Sequence, residues 1–350
     1  LLDALLANEP DVNVDELFSR VRRELSEFAG VVAADPPAGL RGELRGYQRE
    51  GLGWLEFLQR FGFGGCLADD MGLGKTIQVL ALLEARRARR AENGAALRLP
   101  SLVVVPRSLM FHWREEAARF APELKILEHF GSARRLPDRH FDDYDLVITT
   151  YGTLSRDALH LKKIHFEYAI LDEAQAVKNA STLSAKAVRL LHADHRLALS
   201  GTPVENHLGE LWSLFEFLNP GMLGHASAFG GAGRNPDAAT RSLLARALRP
   251  FILRRTKAQV AKELPLKTEQ TLYCDLEADE RKHYNELRDY YRDKLLKNVA
   301  GDGLQKSKFQ VLEALLRLRQ AACHPGLIDK ARVKQPSAKI DALLEQLDQV

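Results

Sequence analysis

Between Leu44 and Asn219 the chain alternates short, mostly apolar runs with longer amphipathic stretches. The runs are Cys66–Ala68, Leu102–Val105, Asp145–Thr150, Tyr168–Glu173 and Arg196–Gly201. A strand buried on both faces reads as a continuous apolar run, so this rhythm predicts an α/β fold with a parallel central sheet flanked by helices. In such sheets ligands gather at the carboxyl ends of the strands. Each run passes at once into an unusual polar tract: DDMGLGKT, PRS, TTYG, DEAQ and SGTP, in that order. The tracts therefore converge on one candidate site.

Outside this core the pattern changes. Apolar spacing predicts a helix over 14–29, broken by Asp35–Gly39 (DPPAG), so residues 1–40 read as a helical N-terminal appendage and linker ahead of a lobe over 41–223. Residues 224–240 are small and glycine-rich and predict a flexible loop. From 241 to 336 the pattern is mostly helical, with a strongly amphipathic stretch over 309–322 that stops at Cys323-His324-Pro325, and 337–350 opens a further helix. Because the chain begins on Leu1 rather than Met, a piece of a longer protein is expected.

Composition narrows the class. With 350 residues, 45% hydrophobic and 28% charged, the chain is globular rather than disordered or fibrous. Cys66, Cys274 and Cys323 form no C-x-x-C pair, which argues against a disulfide framework or a zinc site and favours a reducing, cytoplasmic setting. No run is long enough to span a bilayer. A net charge of +3 announces no polyanionic partner, but its distribution is uneven. Arg241, Arg246, Arg249, Arg254, Arg255, Lys257 and Lys262 follow one another without an acidic residue, and RRARR ends at Arg90; both clusters suit phosphates or solvated helix faces.

The strongest motif is Met71-Gly72-Leu73-Gly74-Lys75-Thr76, between an apolar strand and a helix. Gly72 and Gly74 let backbone N–H groups turn onto an anion, Lys75 reaches terminal phosphates, and the Thr76 hydroxyl suits Mg²⁺. The generic loop opens on glycine; here that position is Asp69. Asp172-Glu173 follows the run YAIL, and adjacent carboxylates at a strand end suit a metal ion and an attacking water, or the cap of the next helix. Ser200-Gly201-Thr202-Pro203 suits a phosphate sensor or an ordinary strand-to-helix turn. The Gln48 amide can both donate to and accept from an adenine edge.

In order, LRGYQREGLGWL (44–55), LADDMGLGKTIQVLALL (67–83), LVVVPRSLMFHW (102–113), TTYGTL (149–154), LDEAQAVKN (171–179), LALSGTPVEN (197–206) and FILRRTK (251–257) resemble the Swi/Snf-type ATPases, a branch of the superfamily-two helicase-like proteins. The resemblance covers about 40–345 and implies a RecA-like P-loop lobe over 41–223, a helical inter-lobe region over 241–336, and the start of a truncated second lobe over 337–350. It implies an ATP hydrolase that translocates on double-stranded DNA with ATP and Mg²⁺ as cofactors. In this family the loop commonly opens on an acidic residue, which accounts for Asp69.

Residue by residue, the resemblance gives Gln48 to adenine, Asp69, Gly72, Gly74, Lys75 and Thr76 to the nucleotide, Thr76 and Asp172 to the metal, and Glu173 to the water. Gln175 stands where eukaryotic relatives commonly carry histidine, and would couple the nucleotide to Ser200 and Thr202. Arg107, Ser108, Thr150 and Tyr151 match segments that touch a DNA backbone, where contacts position without reading sequence. The Arg254–Lys257 tract stands where the chain leaves the first lobe, to brace the lobes or approach DNA. Trp113 and Trp212 read as packing residues without chemistry. The implied partners are double-stranded DNA and a second RecA-like lobe that supplies an arginine finger, with no membrane. A location in the cytoplasm, on the nucleoid if bacterial, goes with this. The competing functions are an RNA or single-strand helicase of the same superfamily and a non-catalytic, nucleotide-gated scaffold.

Overall fold

The computed structural model describes residues 32–92, 99–132, 134–136, 139–201, 208–224, 246–261, 269–302 and 308–348. The helix expected over 14–29, Thr202, Arg241, Lys262 and nearly all of the glycine-rich stretch lie outside them. The chain divides into two compact units, Leu1–Leu264 and Pro265–Val350.

The first unit is built on a seven-stranded sheet. Its strands are β1 (Gly65–Leu67), β2 (Ser101–Val105), β3 (Ile126–His129), β4 (Leu146–Thr150), β5 (His165–Leu171), β6 (His192–Leu199) and β7 (Ile252–Leu253), in the order β3-β4-β2-β5-β6-β1-β7. Every neighbouring pair is parallel. The five apolar runs of the sequence are thus five of the strands. β3 and β7 are additions at the two edges, and β7, grouped by its sequence with the helical region from 241, instead completes the lobe's sheet. Two residues are too few for a period-2 pattern to register.

Side chains alternate across β2: Val103 and Val105 enter one core, Leu102 and Val104 the other. The first core is closed by α1 (Gly46–Arg60), α2 (Lys75–Glu92) and α3 (Met110–Phe120) through Leu52, Trp54, Leu80 and Trp113. The second is closed by α4 (Tyr151–Leu161) and α5 (Leu183–Arg189) through Leu154, Leu161 and Val188. The helix α6 (Leu208–Leu218) serves both, with Phe215 in the first core and Phe217 in the second. Trp54 Nε1 donates to the Pro250 carbonyl at 2.8 Å, which fixes the approach to β7 against α1. A short helix, α7 (Lys257–Val260), follows β7 behind a Thr256–Gln259 capping box.

Of the two readings the sequence left open for the arginine tract on α2, phosphate contact or a solvated helix face, the ion pairs favour neither a bound phosphate nor bare solvent. Arg86 and Arg90 reach Glu167 at 2.7 and 2.5 Å, Arg90 also Asp145 at 3.0 Å, Arg87 reaches Glu84 and Arg89 reaches Glu56. The lobe's own carboxylates engage all four guanidinium groups.

The second unit consists of α8 (Ala278–Asp302), α9 (Lys308–Cys323) and α10 (Ala338–Leu347) with short turns between α9 and α10. His324, after α9, accepts from Gly326 N–H at 2.9 Å through Nδ1, and its Nε2 lies 3.0 Å from the Gln335 carbonyl, so the imidazole organises a turn. Among the described residues no helix is long and apolar enough to cross a membrane.

Candidate functional site

The carboxyl ends of β1, β5 and β6 lie side by side in the sheet, and the conspicuous polar tracts follow them. After β1 the chain turns through Asp69–Gly74 into α2. Gly72 and Gly74 take φ values of 86° and 75°, a left-handed conformation that glycine adopts without strain. A Cβ on Gly74 would also come within 2.5 Å of Gln48 Nε2. The turn delivers Lys75 and Thr76 onto the first turn of α2, where free backbone N–H groups and the helix dipole favour an anion. Lys75 Nζ donates to the Asp69 and Asp70 carbonyls at 2.8 and 3.4 Å, so its ammonium is folded onto the loop that would wrap a phosphate.

Gln48 braces this loop from α1. Its Nε2 donates to the Leu73 carbonyl at 3.2 Å while its Oε1 accepts from Arg45 N–H at 2.9 Å. The Tyr47 hydroxyl donates to the same Leu73 carbonyl at 3.1 Å. Asp69 is fully buried, and its carboxylate accepts from Arg255, both from the backbone N–H at 3.1 Å and from Nε at 2.9 Å. A carboxylate replaces the generic glycine because it has a cation to receive.

Asp172 follows β5 and is held on every side. Trp113 Nε1 donates to Oδ2 at 2.7 Å, Glu173 N–H donates to Oδ1 at 2.9 Å, and the Tyr151 hydroxyl donates to the Asp172 carbonyl at 2.7 Å. Burial pushes the Asp172 carboxyl above the ordinary aspartate value, while the Trp113 and Glu173 N–H groups and the charge on Lys75 oppose that rise. A buried carboxylate with a raised pKa beside a lysine suits a cation that takes over the proton's place.

Glu173 has φ 48° and ψ 55° and is the one non-glycine residue with positive φ among those described. Strain of this kind collects at functional positions. Its carboxylate accepts from Gln175 Nε2 at 2.6 Å, and Gln175 Oε1 accepts from the Ser200 hydroxyl at 3.2 Å. The tracts after β5 and β6 are thereby joined by a continuous side-chain chain, Glu173–Gln175–Ser200.

Arg107 and Ser108 are exposed on a turn of 3-10 helix after β2, and Thr150 ends β4, directly opposite Val105 of β2. Thr150 caps α4 by accepting from Thr153 N–H at 3.2 Å. Tyr151 differs from these three. Its side chain is only 9% exposed and its hydroxyl donates to the Asp172 carbonyl.

The residues present fit a nucleoside triphosphate with Mg²⁺: a positive-φ glycine loop, a lysine and a hydroxyl at a helix start, and a buried carboxylate across from them. Sequence reasoning passed over two contributors. Trp113 read as packing, although a buried indole N–H needs an acceptor and was the available signal. Arg255 lay unresolved within a basic tract, with no local feature to single it out.

A family model described as the SNF2-related domain matches residues 47–327. YwqA of Bacillus subtilis, which carries the name of an ATP-dependent helicase/translocase, is 38% identical over 320 residues, 87% of this chain and 34% of that protein. The TATA-binding protein-associated factor MOT1 of Saccharomyces cerevisiae is 34% identical over 316 residues, 83% of this chain and 17% of that protein. The Sulfolobus solfataricus SWI2/SNF2 ATPase core solved in complex with double-stranded DNA superposes with a TM-score of 0.61 at 36% identity, over 91% of this chain and 66% of that one. The chain thus spans about a third or less of these curated relatives and just under two thirds of the solved core.

Proposed function

Because the chain belongs to the SNF2-related family of superfamily-two helicase-like ATPases and folds as its RecA-like lobe, we propose that it is the nucleotide-binding half of an ATP-driven double-stranded DNA translocase. The observation that carries this reading is the hydrogen-bonded chain from Asp172 through Glu173 and Gln175 to Ser200, with the Lys75 loop at the neighbouring strand end and Arg107 and Ser108 exposed after β2.

In this reading Lys75 and the loop's N–H groups hold the β- and γ-phosphates, and Thr76 with Asp172 would hold Mg²⁺. The ion, when bound, neutralises charge on the transferring phosphoryl group. Glu173 orients the attacking water and accepts its proton at a carboxylate oxygen. Gln48 would take the adenine edge by exchanging its present bonds to the Leu73 carbonyl and Arg45 N–H for the base. Gln175 passes the state of Glu173 to Ser200 and, beyond it, Thr202. Arg107, Ser108, Thr150 and the Tyr151 main chain meet phosphates of one DNA strand.

A second RecA-like lobe would supply the arginine finger and the rest of the DNA track, and such a finger is worth about 10³–10⁵ in rate in related phosphoryl transfer. The test is Mg·ATP hydrolysis with and without linear duplex DNA, on the full-length protein and on this chain. Stimulation by duplex DNA in the former and weak turnover in the latter is expected. Stimulation by RNA in place of duplex DNA would move the assignment to an RNA helicase. ATP binding without turnover in the full-length protein would leave a nucleotide-gated scaffold.

A further inference from the structure

The segment that leaves the sheet after β7 runs alongside the entrance to the phosphate loop. Ala68 N–H donates to the Leu253 carbonyl at 2.7 Å, Asp70 N–H to the Arg255 carbonyl at 3.0 Å, and Lys257 N–H to an Asp70 carboxylate oxygen at 2.9 Å. Between these backbone bonds Arg255 turns inward and is 8% exposed, while its sequence neighbour Arg254 stays outside.

The Arg255 guanidinium has more than one client. Nε donates to Asp69 Oδ1 at 2.9 Å and Nη2 to Asp69 Oδ2 at 2.5 Å, a two-pronged grip across 186 residues of sequence. Nη2 also donates to Gln78 Oε1 on α2 at 2.9 Å, and Nη1 to the Tyr47 carbonyl on α1. The group lies 5.3 Å from the centre of the Tyr47 ring. Gly51 leaves the room: a Cβ there would come 1.7 Å from Gln78 Oε1 and 3.0 Å from Arg255 Nη2.

These contacts close a ring around the loop. Arg255 holds its first residue through Asp69, and it holds Tyr47, whose hydroxyl bonds the Leu73 carbonyl at the loop's far end. A lysine could not serve the same set, because an ammonium on a flexible stem cannot present the planar fork. A buried ion pair adds little net stability over apolar packing, so its use here is to specify one arrangement.

We propose that Arg255 is a positioning residue for the nucleotide: through Asp69 and Tyr47 it holds the phosphate loop in its binding shape and ties ATP affinity to the segment Leu253–Lys257. The proposal rests on the ATPase reading above and deepens it.

The experiment compares the full-length wild-type protein with Arg255→Gln, Arg255→Lys and the double variant Asp69→Asn/Arg255→Gln. It measures KM and kcat for Mg·ATP, direct binding of a fluorescent ATP analogue, and the thermal midpoint without nucleotide. Arg255→Gln is expected to raise KM and the analogue's Kd by about tenfold or more with kcat little changed, as for a displaced binding group. Arg255→Lys should fall between. The double variant has no unpaired buried charge, so it keeps its fold if the single variant does not, and it should retain the raised KM. A folded double variant with wild-type KM and Kd overturns the proposal, as does a fall in kcat at unchanged KM. Wild-type protein that binds no ATP overturns the ATPase reading instead, and that arm is independent of every Arg255 variant.

Discussion

The indole Nε1 of Trp113 and the carboxylate Oδ2 of Asp172 lie 2.7 Å apart, both buried, on α3 and at the end of β5. The bond makes a core tryptophan part of the candidate metal site, and it opposes the rise that burial imposes on the Asp172 carboxyl. Replacing Trp113 with Phe should leave that oxygen without a donor and push the already raised Asp172 pKa further up. A raised carboxyl pKa contributes stability that is full below the ordinary aspartate range and is lost as pH rises through the folded value. The variant's stability deficit should therefore be about 1–3 kcal/mol at neutral pH and shrink toward pH 4. Urea unfolding of the apo chain at the two pH values measures it, and an equal deficit at both would contradict the Trp113–Asp172 link.

Glu173 combines strained backbone with the role proposed for it in phosphoryl transfer. Glu173→Gln keeps the side chain's size and should lower Mg·ATP turnover of the full-length protein by about 10²–10⁴ with nucleotide binding retained. Glu173→Gly removes the same carboxylate but suits φ 48°, so it should also stabilise the fold by about 1 kcal/mol. Single-turnover kinetics and thermal melting separate the two effects. A destabilised Gly variant would mean that the strain is not where the backbone angle puts it.

Much of this was legible in the sequence, and the remainder was hidden for identifiable reasons. Strands buried on both faces announce themselves as apolar runs, so β1, β2, β4, β5 and β6 could be read directly. The loop Gly72–Thr76 and the pair Asp172-Glu173 stand on those strand ends, and their adjacency follows from the parallel order. The sequence could not show which distant cation serves Asp69, because nothing local distinguishes Arg255 from Arg254. Nor could it show that Arg86 and Arg90 are taken up by Glu167, which only the meeting of α2 with β5 brings about. Tyr151 illustrates the same limit: in sequence it stands in a segment expected to touch DNA, and nothing there shows that its hydroxyl donates to the Asp172 carbonyl.

Gln175 stands between Glu173 and Ser200, at 2.6 Å from one and 3.2 Å from the other. If the chain of bonds transmits nucleotide state, Gln175→Ala and Ser200→Ala should each reduce the ratio of DNA-stimulated to basal hydrolysis, by about tenfold, and the double variant should be no worse than either single one. Residues sharing a network are non-additive by about 0.5–3 kcal/mol, whereas independent sites add. A double-mutant cycle on that ratio in the full-length protein is the measurement, and strict additivity would show that the two residues act separately.

A final prediction concerns the far edge of the sheet, where Asp157 on α4 is 3% exposed and shared by an arginine and a histidine. Arg134 donates to it through Nε and Nη2, each at 2.6 Å, and His129 Nε2 lies 2.9 Å from its Oδ2. The Arg134 bonds hold the Asp157 carboxyl below the usual aspartate range, while burial pushes His129 below the usual histidine range despite that carboxylate. Both shifts act in the same direction on stability. The depressed Asp157 contributes above about pH 4 and loses its contribution as pH falls through its folded value. Folded His129 takes up its proton at lower pH than the unfolded chain, which does so near pH 6.5, so stability declines from about that pH downward. Asp157→Asn should cost about 3 kcal/mol at neutral pH, because Arg134 is left without its anion. His129→Gln can still donate to Asp157 but does not titrate, so it should flatten the slope of stability between pH 7 and pH 5 while leaving the steeper loss below pH 4. Denaturant unfolding across that range distinguishes the two residues, and an unchanged slope in His129→Gln would assign the acid sensitivity elsewhere.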